Sequence, residues 1–433
     1  MKFKSLKKVL ALAMVAVMSV GCLSACGGNK AEQSGAESGQ EQQAQENEAQ
    51  GSEAQGSGES TEAAEGTDAA ATAEGGTIMW LSNLSSGAQY EACLAYAEYV
   101  CGELGYKLEV VYGDAFNDPA GNLSAVKNAM TDDVVGIMAS QDGGIINIME
   151  EYPEVYVAGY NSDMAAVYGE GGASAAAATN DHFLGTIADG FVSGVDDGKR
   201  YAEVVIANGY KKVSTMIFPQ YAYPQAAIGD AAFREAIAEY NATAEEPIEI
   251  VGDAKVLEFA PLEESYFLEE GHADLDCIVA MCAGVSFVYP ALTAAKAGGT
   301  CSADTKMLTA GYEEDSSIQA DTGGEGTIQY IHISATENIA YAICLLDAAI
   351  SGTMYADYTA SEPINGLLYE IDSADDQANT IAKSVLGTKN AADSPLTIDE
   401  IKEVLPRFNS EATYAGLKEL FASEQLTADY LAQ

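Results

Sequence analysis

Three histidines in 433 residues leave little for catalysis to work with. His182, His272 and His332 stand in no metal or triad spacing, and no H-E-x-x-H, G-x-S-x-G elbow or Walker loop occurs. Glycine runs such as Gly169 to Gly172 lack the strand and helix context of a dinucleotide site. Basic residues are scarce: 20 Lys and Arg face 66 Asp and Glu, a formal charge of −46. Phosphate binding depends on clustered lysine and arginine, which excludes nucleic acid as a partner. No C-x-x-C pair is present, which removes support for a zinc or thioredoxin-like site. Neither a metal nor a cofactor is expected. The apolar stretch Val9 to Val20 falls short of the ~20 residues that cross a bilayer.

What is present starts with Lys2, Lys4, Lys7 and Lys8, then that apolar stretch, then Leu23-Ser-Ala-Cys26. A basic, an apolar and a small-residue region in this order read as a removable export signal over residues 1–26. It resembles the signal of bacterial lipoproteins, which implies acylation of the Cys26 thiol, cleavage before it, and an extracytoplasmic protein anchored to the cell membrane by lipid. A plain secretory signal cut elsewhere is the alternative; Cys22, after Ser19, Val20 and Gly21, is a poorer match. Residues 27–76 hold eleven acidic residues against Lys30 alone and almost no large apolar side chain. Such a segment cannot bury enough surface to fold, and its like charges extend it, so it reads as a disordered acidic linker.

From Thr77 to Gln433, 357 residues remain, enough for two lobes with real cores. They carry 15 basic and 55 acidic residues, an acidity that means solubility and self-repulsion rather than a function. Cys93 and Cys101 fall about 12 Å apart on one helical pattern at ~1.5 Å per residue, too far to bridge. Together with Cys277, Cys282, Cys301 and Cys344 they are expected to be buried free thiols rather than disulfides.

Strand-like and helix-like runs alternate along this body. Thr77 to Ser82 is a strand, Ala88 to Leu104 a helix capped by Gly105, and Lys107 to Tyr112 a second strand. A helix near Asn122 to Met130, a strand Val134 to Ala139, a helix near Ile145 to Glu151 and a strand Val155 to Gly159 continue the cycle. Ala175 to Thr179 reads as a fifth strand. A helical stretch from His182 to Gly209, broken near Gly198, opens a second series. Its strands are Val213 to Phe218, Cys277 to Cys282, Met307 to Tyr312 and Thr327 to Ile333; its helices are Gly229 to Tyr240, Phe287 to Ala297 and Glu337 to Ile350. Two further helices follow, Thr397 to Leu405 with a capping box from Thr397 and Glu400, and Ser410 to Phe421. Strands alternating with helices at this spacing predict parallel β-α-β units and a covered α/β sheet in each series.

The order of elements, with Gly105-Tyr-Lys-Leu-Glu-Val-Val-Tyr-Gly-Asp114, Thr179-Asn-Asp181 and Asn208-Gly-Tyr-Lys-Lys-Val213, resembles the type I periplasmic binding proteins, over about Thr77 to Gly352. The ribose- and galactose-type receptors of ABC importers are the most similar. The resemblance implies two similar lobes, each a parallel sheet covered by helices, joined by a three-strand hinge. Lobe 1 is placed at 77–181 with 320–352, lobe 2 at 182–319 with 353–365, and a C-terminal helical extension at 366–433. The crossings between lobes are placed near Asn180 to Phe183, Asp315 to Thr322 and Ser351 to Ala356.

Ligand contacts carried over from the resemblance are Asn83 and Tyr90 around the first loop, and Asn161 and Asp163 after the fourth strand. Asp114 and Phe116 offer a carboxylate for sugar hydroxyls and a ring to stack, or a turn and helix cap. Asn180 and Asp181 face the cleft or cap a helix. Tyr221 and Tyr223 decorate a cleft-facing loop, and Arg234 either reaches the ligand or stays a solvated helix residue. Glu313 stands where the receptors carry an aspartate, and His332 either donates to ligand or is packed. The Asn-Asp pair common in relatives is replaced here by Met281-Cys-Ala-Gly284, which permits ligands unlike sugars.

The function expected is a monomeric, membrane-anchored solute-binding protein that is not an enzyme. It captures a small polar ligand, a sugar or nucleoside-like compound, and delivers it to an ABC permease. A sensory lipoprotein of the same fold, signalling to a membrane kinase or chemoreceptor, is the alternative; a surface hydrolase would need a close carboxylate pair.

Overall fold

The computed structural model describes residues 75–113, 118–162, 164–168, 182–220, 223–311, 316–359, 363–372 and 384–422. Cys26 and the acidic linker up to residue 74 lie outside them, as do Asp114, Phe116, Asp163, Asn180, Asp181, Tyr221 and Glu313.

β1 (Thr77–Ser82) is buried along its whole length, as suits a continuous apolar run in a parallel sheet covered on both faces. α1 (Ala88–Leu104) ends on Gly105 in the left-handed region, φ 86°, whose N–H bonds back to the carbonyls of Cys101 and Gly102. There follow β2 (Lys107–Tyr112), α2 (Pro119–Ala129), β3 (Val134–Ala139), α3 (Ile145–Glu151), β4 (Tyr156–Tyr160) and β5 (Phe183–Ile187). These five strands form one parallel sheet in the order β2-β1-β3-β4-β5.

The second sheet draws on α4 (Gly194–Asn208), β6 (Lys212–Ile217), α5 (Pro224–Asn241), β7 (Glu249–Ile250), β8 (Lys255–Val256), β9 (Cys277–Met281), α6 (Tyr289–Gly298), β10 (Lys306–Ala310) and β11 (Ile328–Ser334). α7 (Ile339–Ile350) then returns to the first sheet and packs on β3, β4 and β5. β12 (Leu368–Asp372) goes back to the second sheet, beside β11. Its order is β12-β11-β10-β9-β6-β7, with β8 also paired to β6, and only β12 is antiparallel to its neighbour.

The chain therefore passes between the sheets three times, but later than the sequence suggests. The first passage follows β5, at 188–193, the second follows β11, at 335–338, and the third precedes β12, at 363–367. The stretch after His182 is a strand rather than the start of a helix. Phe183 to Ile187 is buried at every position, so its apolar run carries no periodicity to separate strand from helix. Gly159 on β4 allows it to pair: a Cβ there would lie 2.1 Å from Oγ1 of Thr186. Gly198 does not break α4, which runs through it.

The three passages are stitched together. The N–H of Gly366 donates to the carbonyl of Gly190 (2.7 Å), and that of Ala335 to Leu367 (3.0 Å). Asn338 holds both backbone groups of Leu367, donating to its carbonyl (3.0 Å) and accepting from its N–H (2.8 Å).

Beyond β12 the C-terminal segment covers the first lobe. α8 (Ile398–Glu403) begins with the expected capping box of Thr397 and Glu400, and α9 (Tyr414–Ala422) closes the described chain. Leu396, Ile401, Leu405, Leu417 and Phe421 are fully buried in the same core as α1 and α7. Tyr96 of α1 donates to the carbonyl of Leu396 (2.8 Å), and the hydroxyls of Tyr341 and Tyr414 meet at 3.0 Å. Arg407 lies 2.8 Å from the fully buried carboxylate of Asp347 and over the ring of Tyr106. All six cysteines of the described residues are free and buried, and burial holds the thiols of Cys93, Cys101 and Cys282 up at about 12.

Candidate functional site

β5 leaves its sheet at its carboxyl end straight into the first passage, and β11 leaves the other sheet at its carboxyl end straight into the second. Apart from β12 the strands are parallel, so the two sheets turn their carboxyl ends toward the hinge from opposite sides. Ligands bind α/β sheets at that edge.

On the first sheet an aromatic row leads to the edge. Trp80 is buried, donates from Nε1 to Oγ of Ser140 (2.8 Å) and stacks on Tyr90 at 5.9 Å. Tyr90 in turn meets Tyr112 at 6.1 Å, and Tyr112 is 37% exposed. Asn83 follows β1 directly and is half-buried. Asn161, after β4, has φ 57°, a left-handed conformation that asparagine adopts more readily than most residues. Its Oδ1 accepts from Oγ of Ser334 (3.0 Å), a bond between the end of β4 and the end of β11.

On the second sheet the corresponding edge is aromatic as well. Phe218, after β6, stacks on Phe259 (5.3 Å), meets Phe287 edge-on (5.1 Å) and touches Tyr223 (5.4 Å). Tyr223 is 40% exposed. Phe259 has φ 54°, a strain of ~1–3 kcal/mol for a bulky side chain, which the surrounding rings hold in place. The segment Met281 to Gly284 contributes no polar side chain; its turn is fixed by Thr309, whose Oγ1 accepts from the N–H of Gly284 (2.9 Å) and donates to the carbonyl of Cys282 (2.9 Å).

Between the two edges lie Asp189 in the first passage, Asp197 in the first turn of α4 and His332 on β11. Asp189 is exposed, yet protein crowds around it and raises its carboxyl above the ordinary range, with only Ser334 pulling it down. Burial, and then the charge of Asp189, push the Asp197 carboxyl up to about 7. Burial pushes His332 down to about 4. His332 is only 9% exposed and is boxed by the rings of Phe191 (5.9 Å), Tyr201 (5.4 Å) and Tyr330 (5.9 Å). Its Nδ1 stands 3.8 Å from Oδ1 of Asp197, beyond hydrogen-bond reach, and both atoms are buried without a partner. With a neutral imidazole this contact is not an ion pair.

The arginines of α4 and α5 are already committed. Arg200 forks onto Glu370 of β12 (2.6 and 3.1 Å), which also accepts from the hydroxyl of Tyr330 (2.6 Å). Arg234, expected to reach a ligand, instead spends its guanidinium within lobe 2, on Asp230 (2.8 Å), Thr215 (2.8 Å) and the carbonyl of Gly252 (3.1 Å). Of the expected residues the structure places Asn83, Tyr90, Asn161, Tyr223 and His332 on elements that end at the facing edges. Asp189 and Asp197 escape the sequence analysis because the stretch from His182 reads as helix there; a strand followed by Asp189-Gly190 is the signal that locates them. Among the described residues no group of histidine, cysteine, aspartate and glutamate side chains is arranged to hold a metal ion, and no helix is long and apolar enough to cross a membrane.

No protein-family model matches the chain, and no curated protein matches it. Solved structures do. An ABC transporter solute-binding protein from Burkholderia graminis in complex with D-arabinose shares 16% identity, with 69% of this chain and 95% of that one covered at a TM-score of 0.50. A carbohydrate transporter from Acidothermus cellulolyticus in complex with myo-inositol shares 13%, covering 73% and 99% at 0.50. The periplasmic binding protein component of the arabinose ABC transporter from Shewanella sp. ANA-3, bound to L-arabinofuranose, shares 14%, covering 73% and 97% at 0.51. The fold is that of the type I periplasmic binding proteins, as the sequence implies.

Proposed function

We propose that the chain is an extracytoplasmic solute receptor, tethered through Cys26, that closes its two lobes over a small polar, sugar-like molecule and hands it to an ABC permease. The observation that carries this reading is the pair of sheets whose carboxyl ends face one hinge, with aromatic rings and unpartnered polar groups between them. Asn83, Asn161, Asp189 and Tyr223 are the contacts we assign, with Asp114, Phe116, Asp163, Asn180, Asp181, Tyr221 and Glu313 joining them from the remaining loops. Micromolar capture needs ~8 kcal/mol, and one hydrogen bond to a charged group contributes only ~1.5–3, so several such groups must converge on one ligand. The solved neighbours that hold D-arabinose, myo-inositol and L-arabinofuranose support a polyhydroxylated ligand.

The test is a thermal-shift screen of the purified chain against sugars, nucleosides and amines, followed by recovery of the bound compound. Ligand at a thousand times its dissociation constant adds ~4 kcal/mol to stability. A clear upward shift with the compound recovered unchanged supports the receptor; recovery of a hydrolysed product overturns it.

A further inference from the structure

We propose that the solute carries a positive charge: a hydroxylated small molecule bearing a protonated amine, whose ammonium sits against Asp189 and Asp197. This rests on the receptor reading and narrows its ligand class.

Three observations converge. The loops that follow the strands of both sheets, including residues 83–87, 140–144, 161–164, 188–193, 218–223, 257–262 and 311–315, contain no lysine or arginine at all. The arginines of α4 and α5 are engaged elsewhere, Arg200 on Glu370 and Arg234 on Asp230. Among the described residues no lysine or arginine forms an ion pair with Asp189 or Asp197.

The second observation is His332. A buried imidazole nitrogen and a buried carboxylate oxygen face each other at 3.8 Å with no partner, in a structure where most buried polar atoms are paired. Asp197 thus has one buried oxygen without a hydrogen bond, while its side chain as a whole is 25% exposed and within reach of a solute. An ammonium has three donors and no acceptor, and it answers a site made of acceptors. A neutral sugar hydroxyl brings an acceptor along with each donor and leaves the two carboxyl groups in mutual repulsion.

The third is the aromatic cluster in the same lobe as Asp197. Phe218, Tyr223 and Phe259 present ring faces at the edge of lobe 2, and aromatic faces attract cations as well as sugar C–H surfaces. Carboxyl groups and aromatic rings are both groups that suit a cation.

Calorimetric titration of the full chain with D-glucosamine, N-acetyl-D-glucosamine, D-glucose and putrescine tests this. A protonated amine is expected to bind at least tenfold tighter than the N-acetyl compound, with the advantage shrinking in high salt and disappearing in Asp189→Asn. Asp197→Asn is expected to lose it too while melting no lower than the parent at pH 8, which separates lost binding from lost folding. If glucose or N-acetylglucosamine binds as tightly as the amines, the charge assignment is overturned and the receptor reading stands. If none of the four binds, the charge assignment is likewise overturned, and the wider ligand screen alone then decides the receptor reading.

Discussion

At the scale of single residues, the hinge holds two groups whose protonation opposes. The folded protein keeps a proton on Asp197 up to about 7, whereas the unfolded chain releases it near 3.8. The stabilisation from that proton is present below the unfolded value and is lost as pH rises through about 7. Asp189, raised for the same reason, acts in the same direction. His332 runs the other way: it stays neutral in the fold down to about 4, while the unfolded chain takes up a proton near 6.5. Its cost to folding is absent above 6.5 and grows as pH falls toward 4. Relative to the parent, Asp197→Asn should therefore gain stability as pH rises from 4 to 7, and His332→Gln as pH falls from 6.5 to 4. Urea unfolding at half-unit intervals of pH checks both, and curves parallel to the parent would show that neither group is enclosed. None of this was legible from spacing. Burial sets these acidities, and burial depends on elements far apart in the chain.

Among elements, α4 and α5 approach each other unusually closely. A Cβ on Gly198 would lie 2.0 Å from the carbonyl oxygen of Gly229, and one on Gly194 would lie 2.3 Å from that of Gln225. Both obstacles are backbone, which no side-chain rotation relieves. Gly198→Ala should force the helices apart at ~1–3 kcal/mol, the usual cost of overpacking, and Gly209→Ala, at a C-cap with nothing within 4 Å, should cost only its backbone strain. Thermal unfolding of both variants separates crowding from conformation; equal losses would refute the close approach. The sequence suggests a helix break at Gly198 because glycine carries two meanings, flexibility and thinness, that a single chain does not separate. Periodic elements such as α1, and punctuated ones such as the capping box of Thr397 and Glu400, were readable because their signals are local. β5 and β12 were not: β5 is buried on both faces and loses its alternation, while β12 is five residues long and depends on β11 for its edge.

Taken as a whole molecule, the protein has one reinforced lobe and one connected mainly through three passages. The C-terminal segment fastens across α1 and α7 through Tyr96, Tyr341 and the pair of Arg407 with Asp347. Burial pushes the Asp347 carboxyl up, and Arg407 and Tyr106 pull it back. Arg407→Ala leaves that carboxylate buried and uncompensated, a loss of about 3 kcal/mol, at the lower end of the usual range because Arg407 is itself partly exposed. Adding Asp347→Asn should recover most of the loss, and failure to do so in denaturant titrations would mean that the segment is held by packing alone. Fold class and the two-sheet plan came through from the alternation of strands and helices. The position of each passage did not, because it depends on which sheet a strand joins rather than on what the strand is made of.

Glu337 stands in the second passage, wholly enclosed, and accepts from Tyr369 of β12 (2.7 Å) and from Ser394 of the C-terminal segment (3.1 Å). One carboxyl thus knots the pivot to the strap. Removing that carboxyl therefore unfastens two things together, the turn that leads from β11 into α7 and the polypeptide that lies across the first lobe.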